Sequence, residues 1–290
     1  MGEKRGDGRD ETSYKSIFQR NIGLLTPEAQ DLLKNSTVSI AGVGGVGGIT
    51  AETLARMGLG NLKIADIEEF SVTDLNRQTG SFHSTIGKPK VDVLYNLLKD
   101  INPEVDIEVY SKGVSTENAS EFVCNADIVV DALDYYAPEA KIALHREARK
   151  NRQYIFSCPI LGFGSLILCF GPESPTIEAF FEYPEEPEKI KTHKIPLEKI
   201  MGCRLDYLPN SFFETLKLKE PYGSTSGAAA KISGGVSAIQ ILKTLIYIEQ
   251  QKNPERFKEY GKIELTTVPN ALRIDGWAQQ YCVEVNLERV

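Results

Sequence analysis

Residues 38–66 (V-S-I-A-G-V-G-G-V-G-G-I-T-A-E-T-L-A-R-M-G-L-G-N-L-K-I-A-D) constrain this chain more than any other stretch. An apolar strand at 38–41 breaks into glycines at Gly42, Gly44, Gly45, Gly47 and Gly48. A helical pattern follows through Leu54, Gly58 and Gly60 end it, and a second strand at 62–65 finishes on Asp66. In the order strand, G-x-G-x-x-G, helix, strand, acid, the glycines let a phosphate approach the backbone at a helix N-terminus. The acid can bond a ribose hydroxyl. A tight strand-to-helix turn also favours glycine, so the stretch points to a nucleotide without naming it.

The pattern continues as alternating strands and helices. T-P-E (26–28) offers an N-cap, a proline at N1 and an acid in the first turn of a helix over 27–34. Pro89 opens a helix with Val91, Leu94, Leu98 and Ile101 on one face, and strands are expected at 105–109, 126–132 and 153–157. Thr116 is read as the cap of a short helix reaching Cys124, and a further helix is expected over 138–150. Such alternation predicts an α/β, Rossmann-like, doubly wound, mostly parallel sheet, whose site lies beyond the carboxyl ends of the strands. Residues 171–221 hold seven of the chain's 14 prolines and read as a long surface excursion. A helix over 232–250 with Val236, Ile239, Leu242, Leu245 and Ile246 on its core face precedes a tail that alternates like two or three strands. The expected organisation is a disordered N-terminus (1–13), a nucleotide-binding core (14–170), a crossover or lid segment (171–227), and a helix with antiparallel strands (228–290) completing the same domain.

Composition narrows the class of function. Net charge −7 argues against a broad electrostatic grip on nucleic acid or an anionic membrane. The five cysteines are widely spaced with no C-x-x-C, so no structural zinc is expected, and the compartment is read as reducing and cytoplasmic. The longest apolar stretch, 154–171, is broken by Pro159, Gly162 and Gly164, which suits two short strands and a turn better than a membrane span. Cys158 and Cys169 lie in strand-like runs and read as core.

A dehydrogenase would need an acid–base group beside its cofactor, yet His83, His145 and His193 all read as surface histidines. The strand ends instead gather Arg77, Lys90 and Asp134 beside Asp66. Two cations and an acid able to hold a metal suit a triphosphate better than a nicotinamide. No G-x-x-x-x-G-K-[ST] is present, so this is not P-loop chemistry.

The succession G-V-G-G-V-G (42–47), D-L-N-R-Q (74–78), G-K-P-K (87–90), I-N-P (101–103), D-A-L-D (131–134) and G-G-V-S-A-I-Q-I-L-K (234–243) resembles the ubiquitin-activating-type adenylyltransferases, including the ThiF/MoeB-type enzymes of thiamine and molybdopterin biosynthesis. The resemblance implies ATP and Mg²⁺, with Gly42, Gly44, Gly45, Gly47, Asp66 and Asn76 around the nucleotide. It also implies Arg77 and Lys90 on the phosphates, Asp134 on Mg²⁺, and Arg20 reaching into the site of a neighbouring subunit in a homodimer. The expected reaction is adenylation of a carboxylate, first of all the C-terminus of a small ubiquitin-like protein or peptide. Three features depart from the family pattern. Asp74 stands where Asn is usual, T-I-E-A-F-F (176–181) replaces a zinc-binding cysteine pair, and only Cys203 falls where a thioester-forming cysteine would lie. The stretch from Asp131 through Pro138 to Lys141 is similar to the subgroup that adenylates and dehydrates a modified tRNA adenosine, which makes a tRNA-modifying dehydratase the first alternative. A non-catalytic nucleotide-binding regulatory module is the second.

Overall fold

The structure is a computed structural model, describing residues 13–193, 195, 205–211 and 225–287. Of the N-terminus expected to be disordered, residues 1–12 lie outside this set, and Ser13 is the N-cap of α1 (Tyr14–Ile17).

Five parallel strands form the heart of the sheet. They are β1 (Thr37–Ala41), β2 (Asn61–Ala65), β3 (Asp106–Tyr110), β4 (Ile128–Asp131) and β5 (Tyr154–Ser157). Then β6 (Ile160–Leu161), β7 (Gly164–Phe170), β8 (Asn270–Asp275) and β9 (Gln280–Asn286) add an antiparallel extension. The order is β3-β2-β1-β4-β5-β7-β8-β9, with β6 pairing on β7. Consecutive connections thus run outward from β1 in one direction and from β4 in the other. The crevice between β1 and β4 is the switch point where such sheets bind ligands. The Rossmann-like sheet and its antiparallel extension are as expected from the sequence.

The helices cover both faces. α2 (Pro27–Asn35), α3 (Gly45–Met57), α4 (Lys90–Ile101) and the long α9 (Gly227–Lys252) pack on one, and α5 (Ala119–Val123), α6 (Pro138–Lys150) and α7 (Ile177–Phe180) on the other. Period-two alternation sends neighbouring residues into different cores. Ile40, Ile64, Val130 and Phe156 join the first, whereas Ala41, Ala65, Val129 and Ile155 join the second. Thr26 caps α2 through its side chain, with Pro27 at N1. Short helices occur in the proline-rich segment at α7 and α8 (Pro187–Ile190), and T-I-E-A-F-F folds as α7 with Phe180 and Phe181 buried.

Three local expectations change. The helix before Cys124 starts at Ala119, because Asn118 Oδ1 accepts the Ser115 N–H (2.7 Å) and closes a turn in place of the cap expected at Thr116. Residues 154–171 form three strands, since the turn at Gly162 adds β6. On α9, Leu242, Leu245 and Ile246 are buried, but Val236 lies at the margin and Ile239 is 56% exposed. The buried face carries Ser233, Gly234, Ser237 and Ala238 instead, because α9 lies close against α3. A Cβ on Gly234 would sit 2.5 Å from Ile49 Cγ2 and 3.0 Å from the Thr50 nitrogen.

Gly234→Val is therefore expected to overpack this contact and cost about 1–3 kcal/mol, read as a lower urea midpoint at unchanged slope. Ile239→Ser should leave the midpoint nearly where it was.

Candidate nucleotide-binding and adenylation site

At the end of β1 the chain turns through Gly42 at φ +86°. A Cβ there would lie 2.5 Å from the Ala132 carbonyl oxygen, and one on Gly47 only 1.9 Å from the Gly42 carbonyl oxygen. These glycines let β1, β4 and α3 meet backbone to backbone. Gly44 and Gly45 face outward. Gly44 is the N-cap of α3 and supplies no side-chain cap, so the first amides of the helix remain donors for an anion at the positive end of its dipole. Asp66, at the end of β2, accepts the Val43 N–H through Oδ2 (2.8 Å) and the Glu68 N–H through Oδ1 (2.9 Å). It fixes the loop, and each oxygen keeps a lone pair for a hydroxyl donor.

The segment after β2 is organised by Asp74. Its Oδ2 accepts from the backbone and hydroxyl of Ser71 (2.9 and 3.0 Å) in a capping box. Its Oδ1 accepts from Gln78 Nε2 (2.6 Å) and lies 3.4 Å from Arg77 Nη2. Lys90 Nζ stands 3.8 Å from Asp74 and donates to Glu68 Oε2 at 2.5 Å. The charge that departs from the family pattern is thus buried, hydrogen-bonded and compensated by the two cations expected to handle phosphate.

Arg77 also donates to the Thr73 carbonyl (2.8 Å) and Asn76 Oδ1 (2.9 Å). Its stem passes the start of α3, with Cγ 3.6 Å from where a Gly45 Cβ would be. Asn76 Nδ2 reaches the Thr225 carbonyl (3.2 Å) just before α9. Lys90, by contrast, is only 3% exposed and held by acids. Glu68, its exposed partner, was not singled out by sequence reasoning.

The third wall is the loop after β4. Asp131 is wholly buried and accepts Lys141 Nζ through both oxygens (2.7 and 2.8 Å), while His145 Nε2 lies 3.0 Å from its Oδ2. Lys141 also donates to the Leu133 carbonyl (2.9 Å), and Asp131 Oδ1 accepts the Leu133 N–H (3.2 Å). Burial pushes the Asp131 carboxyl up, but the Lys141 charge and the His145 hydrogen bond together outweigh it and hold the group at about 2. This triad anchors residues 131–134 from below and leaves Asp134 exposed. The Asp134 side chain accepts one long bond among the described residues, from the Tyr136 N–H at 3.4 Å.

His145 is therefore a core residue, against its reading as a surface histidine. The signal was its spacing from Lys141, since positions 141, 144, 145 and 148 share one buried face of α6. His83 is exposed, and His193 Nε2 contacts the Phe181 carbonyl (2.9 Å). Cys158 and Cys169 are core as expected. Burial pushes the Cys158 thiol up to about 12 and Cys169 higher still, so neither is a nucleophile. Cys203 lies outside the described residues. Arg20 is exposed on a 3₁₀ turn (Gln19–Asn21). Among the described residues no group of three or more His, Cys, Asp or Glu is placed to hold a metal, and no helix is long and apolar enough to cross a membrane.

The sequence profile of the ThiF family matches residues 18–279. The chain belongs to the ThiF family. It is thereby an adenylyltransferase-type enzyme, built on the fold that the glycine loop foreshadows. The tRNA threonylcarbamoyladenosine dehydratase of Bacillus subtilis (strain 168) is 34% identical over 189 residues, which cover 65% of this chain and 68% of that protein. Against the dehydratases of the same name from Haemophilus influenzae and Escherichia coli, the chain spans about half of their length. Among solved ThiF-like structures, E. coli TcdA in complex with ATP superposes with a TM-score of 0.62 at 20% identity, covering 82% of this chain and 97% of that one. E. coli MccB with AMPCPP and MccA gives 0.64 at 17%, covering 96% and 74%. Both share the fold.

Lys141→Met should leave the Asp131 carboxylate buried without its main counter-charge and cost about 3–5 kcal/mol. The wild-type triad also makes an acid limb. Asp131 titrates lower when folded than in the unfolded chain, so its stabilisation is full above pH 4 and is lost as pH falls toward 2. Denaturant titrations across this window check both expectations, because Lys141→Met should lose the limb.

Proposed function

We propose that this protein uses ATP and Mg²⁺ to adenylate the carboxylate of a tRNA-borne threonylcarbamoyladenosine, after which the activated group closes on the same molecule. What supports adenylation is the convergence on one sheet edge of the open α3 N-terminus, Asp66, Arg77, Lys90 and Asp134. The choice of substrate rests on the 34% identity to the B. subtilis dehydratase. The sequence alone favours a protein or peptide C-terminus over this nucleoside; the identity to the dehydratases supports the nucleoside instead.

Asp66 would accept the ribose hydroxyls, while the amides at Gly44 and Gly45 and the Asn76 and Arg77 side chains would hold the phosphates. Lys90 would exchange Glu68, its exposed partner, for a phosphate oxygen, with Asp74 staying behind as fixed counter-charge. A carboxylate oxygen of the substrate attacks the α-phosphorus, the bond to the β-phosphate oxygen breaks, and pyrophosphate leaves. Asp134 is a hard oxygen donor with nearly all its capacity free, which fits Mg²⁺ held by one carboxylate together with phosphates and water. The ion, when bound, would neutralise charge on the departing pyrophosphate. In the second step a nucleophile of the carbamoyl group attacks the acyl carbon and expels AMP with the former carboxylate oxygen. The elements of water are lost, and no enzyme thiol is required.

Arg20 would complete the site of a second subunit, and exposed Ile22 and Leu24 beside it offer apolar area for a homodimer. A peptide carboxylate remains the second reading, because the MccB fold covers more of this chain than that of TcdA does.

The test is pyrophosphate and AMP release with an anticodon stem-loop bearing threonylcarbamoyladenosine, against peptides with free C-termini. RNA-dependent release supports the proposal; release with peptides alone sinks it. Arg77→Ala should lower turnover about a hundredfold, and Asp134→Ala should remove the Mg²⁺ dependence with the activity. Arg20→Ala and Asp134→Ala chains, each inactive alone, should regain activity when mixed and allowed to exchange subunits.

A further inference from the structure

The turn between β6 and β7 and the turn between β8 and β9 each expose an aromatic ring, Phe163 at 40% and Trp277 at 64%. Their centroids are 5.3 Å apart and their planes 22° from parallel. Tyr207 joins them, 6.0 Å from Phe163 at 30° and 5.8 Å from Trp277 at 35°. Exposed rings on turns usually move independently, but these are tied to one buried carboxylate. Asp275 accepts the Tyr207 hydroxyl through Oδ2 (2.7 Å) and the backbone N–H groups of Trp277 and Ala278 through Oδ1 (3.0 and 2.9 Å). The Tyr207 oxygen in turn accepts the Phe163 N–H (3.1 Å). One acid thus sets the backbone behind Trp277 and the Tyr207 hydroxyl, and through that hydroxyl the backbone of Phe163.

The sheet register locates this cluster. Ser157, at the carboxyl end of β5, pairs with Leu168, and Gly164 pairs with Asp275. The start of β7 and the end of β8 therefore project past the edge where the nucleotide site lies. β7 stands two strand spacings from β4, about 10 Å sideways. Helix α9 confirms the proximity. A Cβ on Gly227 would sit 2.5 Å from the Asn76 carbonyl, and a Cβ on Gly276 would sit 3.7 Å from Ile232 Cδ1. From Gly227 to Ile232 is about 7.5 Å of helix.

We infer that Phe163, Tyr207 and Trp277 form a stacking platform for an unpaired base of the RNA substrate, beside the adenylation site. The inference rests on the tRNA reading above and deepens it. Rings held near parallel with exposed faces suit a base, whose π-face stacks whatever its hydrogen-bonding edge. Stacking on a ring does not depend on the sign of the protein's net charge, which is −7 here.

Trp277 is the only tryptophan in the chain, so its fluorescence reports on the platform alone. With the ATP site saturated by a non-hydrolysable analogue, titration of the full chain with the threonylcarbamoyladenosine stem-loop should quench the emission. Trp277→Ala and Phe163→Ala should each raise KM for this RNA about tenfold, in line with the loss of one base stack, with the analogue's affinity unchanged. Trp277→Phe should recover most of the loss. RNA-dependent turnover with no quench and an unchanged KM in both alanine variants would overturn the platform and leave the proposed function standing. Quenching by a C-terminal peptide in place of RNA would overturn the platform's ligand. Absence of any RNA-dependent turnover in the wild type would overturn both.

Discussion

Everything at the candidate site depends on how closely β1, α3 and β4 approach one another. The carbonyls of Gly42 and Ala132 occupy the space that side chains at 47 and 42 would fill. That contact lines up the ends of β1 and β4 and seats the N-terminus of α3 over the crevice between them. Phosphate recognition by backbone amides requires positioning of this kind, because an amide cannot swing toward a ligand as a lysine can. The glycines therefore act mainly through what they exclude from the protein's own packing.

Around this fixed centre, three buried carboxylates each organise one loop. Asp74 holds the segment of Asn76 and Arg77, Asp131 holds the segment of Asp134, and Asp275 holds the rings of Phe163, Tyr207 and Trp277. The solutions share a logic. A carboxylate accepts several bonds at once, so one burial can set a whole turn, provided that cations or N–H groups satisfy it. For Asp74 and Asp131 the satisfying cations are Lys90 or Arg77 and Lys141. Lys90 serves two masters in this arrangement, since it compensates Asp74 and faces Glu68 at the site.

Much of the fold was legible because its signals are local and periodic. The glycine loop, the proline-capped helices and the alternating strands each fall within a few residues of each other, and Asp66, Arg77 and Asp134 stand at loop positions that the Rossmann pattern marks. What escaped notice was set by contacts distant in sequence. Ile239 reads as core by hydropathy, but α9 turns its small residues inward because α3 leaves no room for larger ones. His145 reads as surface until Asp131, fourteen positions earlier, is placed beneath it. Asp74 looks like an intrusive charge until Ser71, Gln78, Arg77 and Lys90 close around it. The aromatic cluster joins three segments whose neighbourhood depends on the antiparallel register of β7 and β8.

Asp66, Arg77 and Lys90 hold their loops with side chains that also reach the site, but beyond β4 the residues that hold a turn and those that stand exposed on it differ. Asp131 and Asp275 are buried, whereas Asp134 and Tyr136 are exposed on the loop after β4, Trp277 on the turn after Asp275, and Phe163 on the neighbouring turn between β6 and β7. Substitution of Tyr136, Phe163 or Trp277 leaves in place the buried carboxylates that set the backbone around them. Such a division lets the surface of these turns vary with little risk to folding.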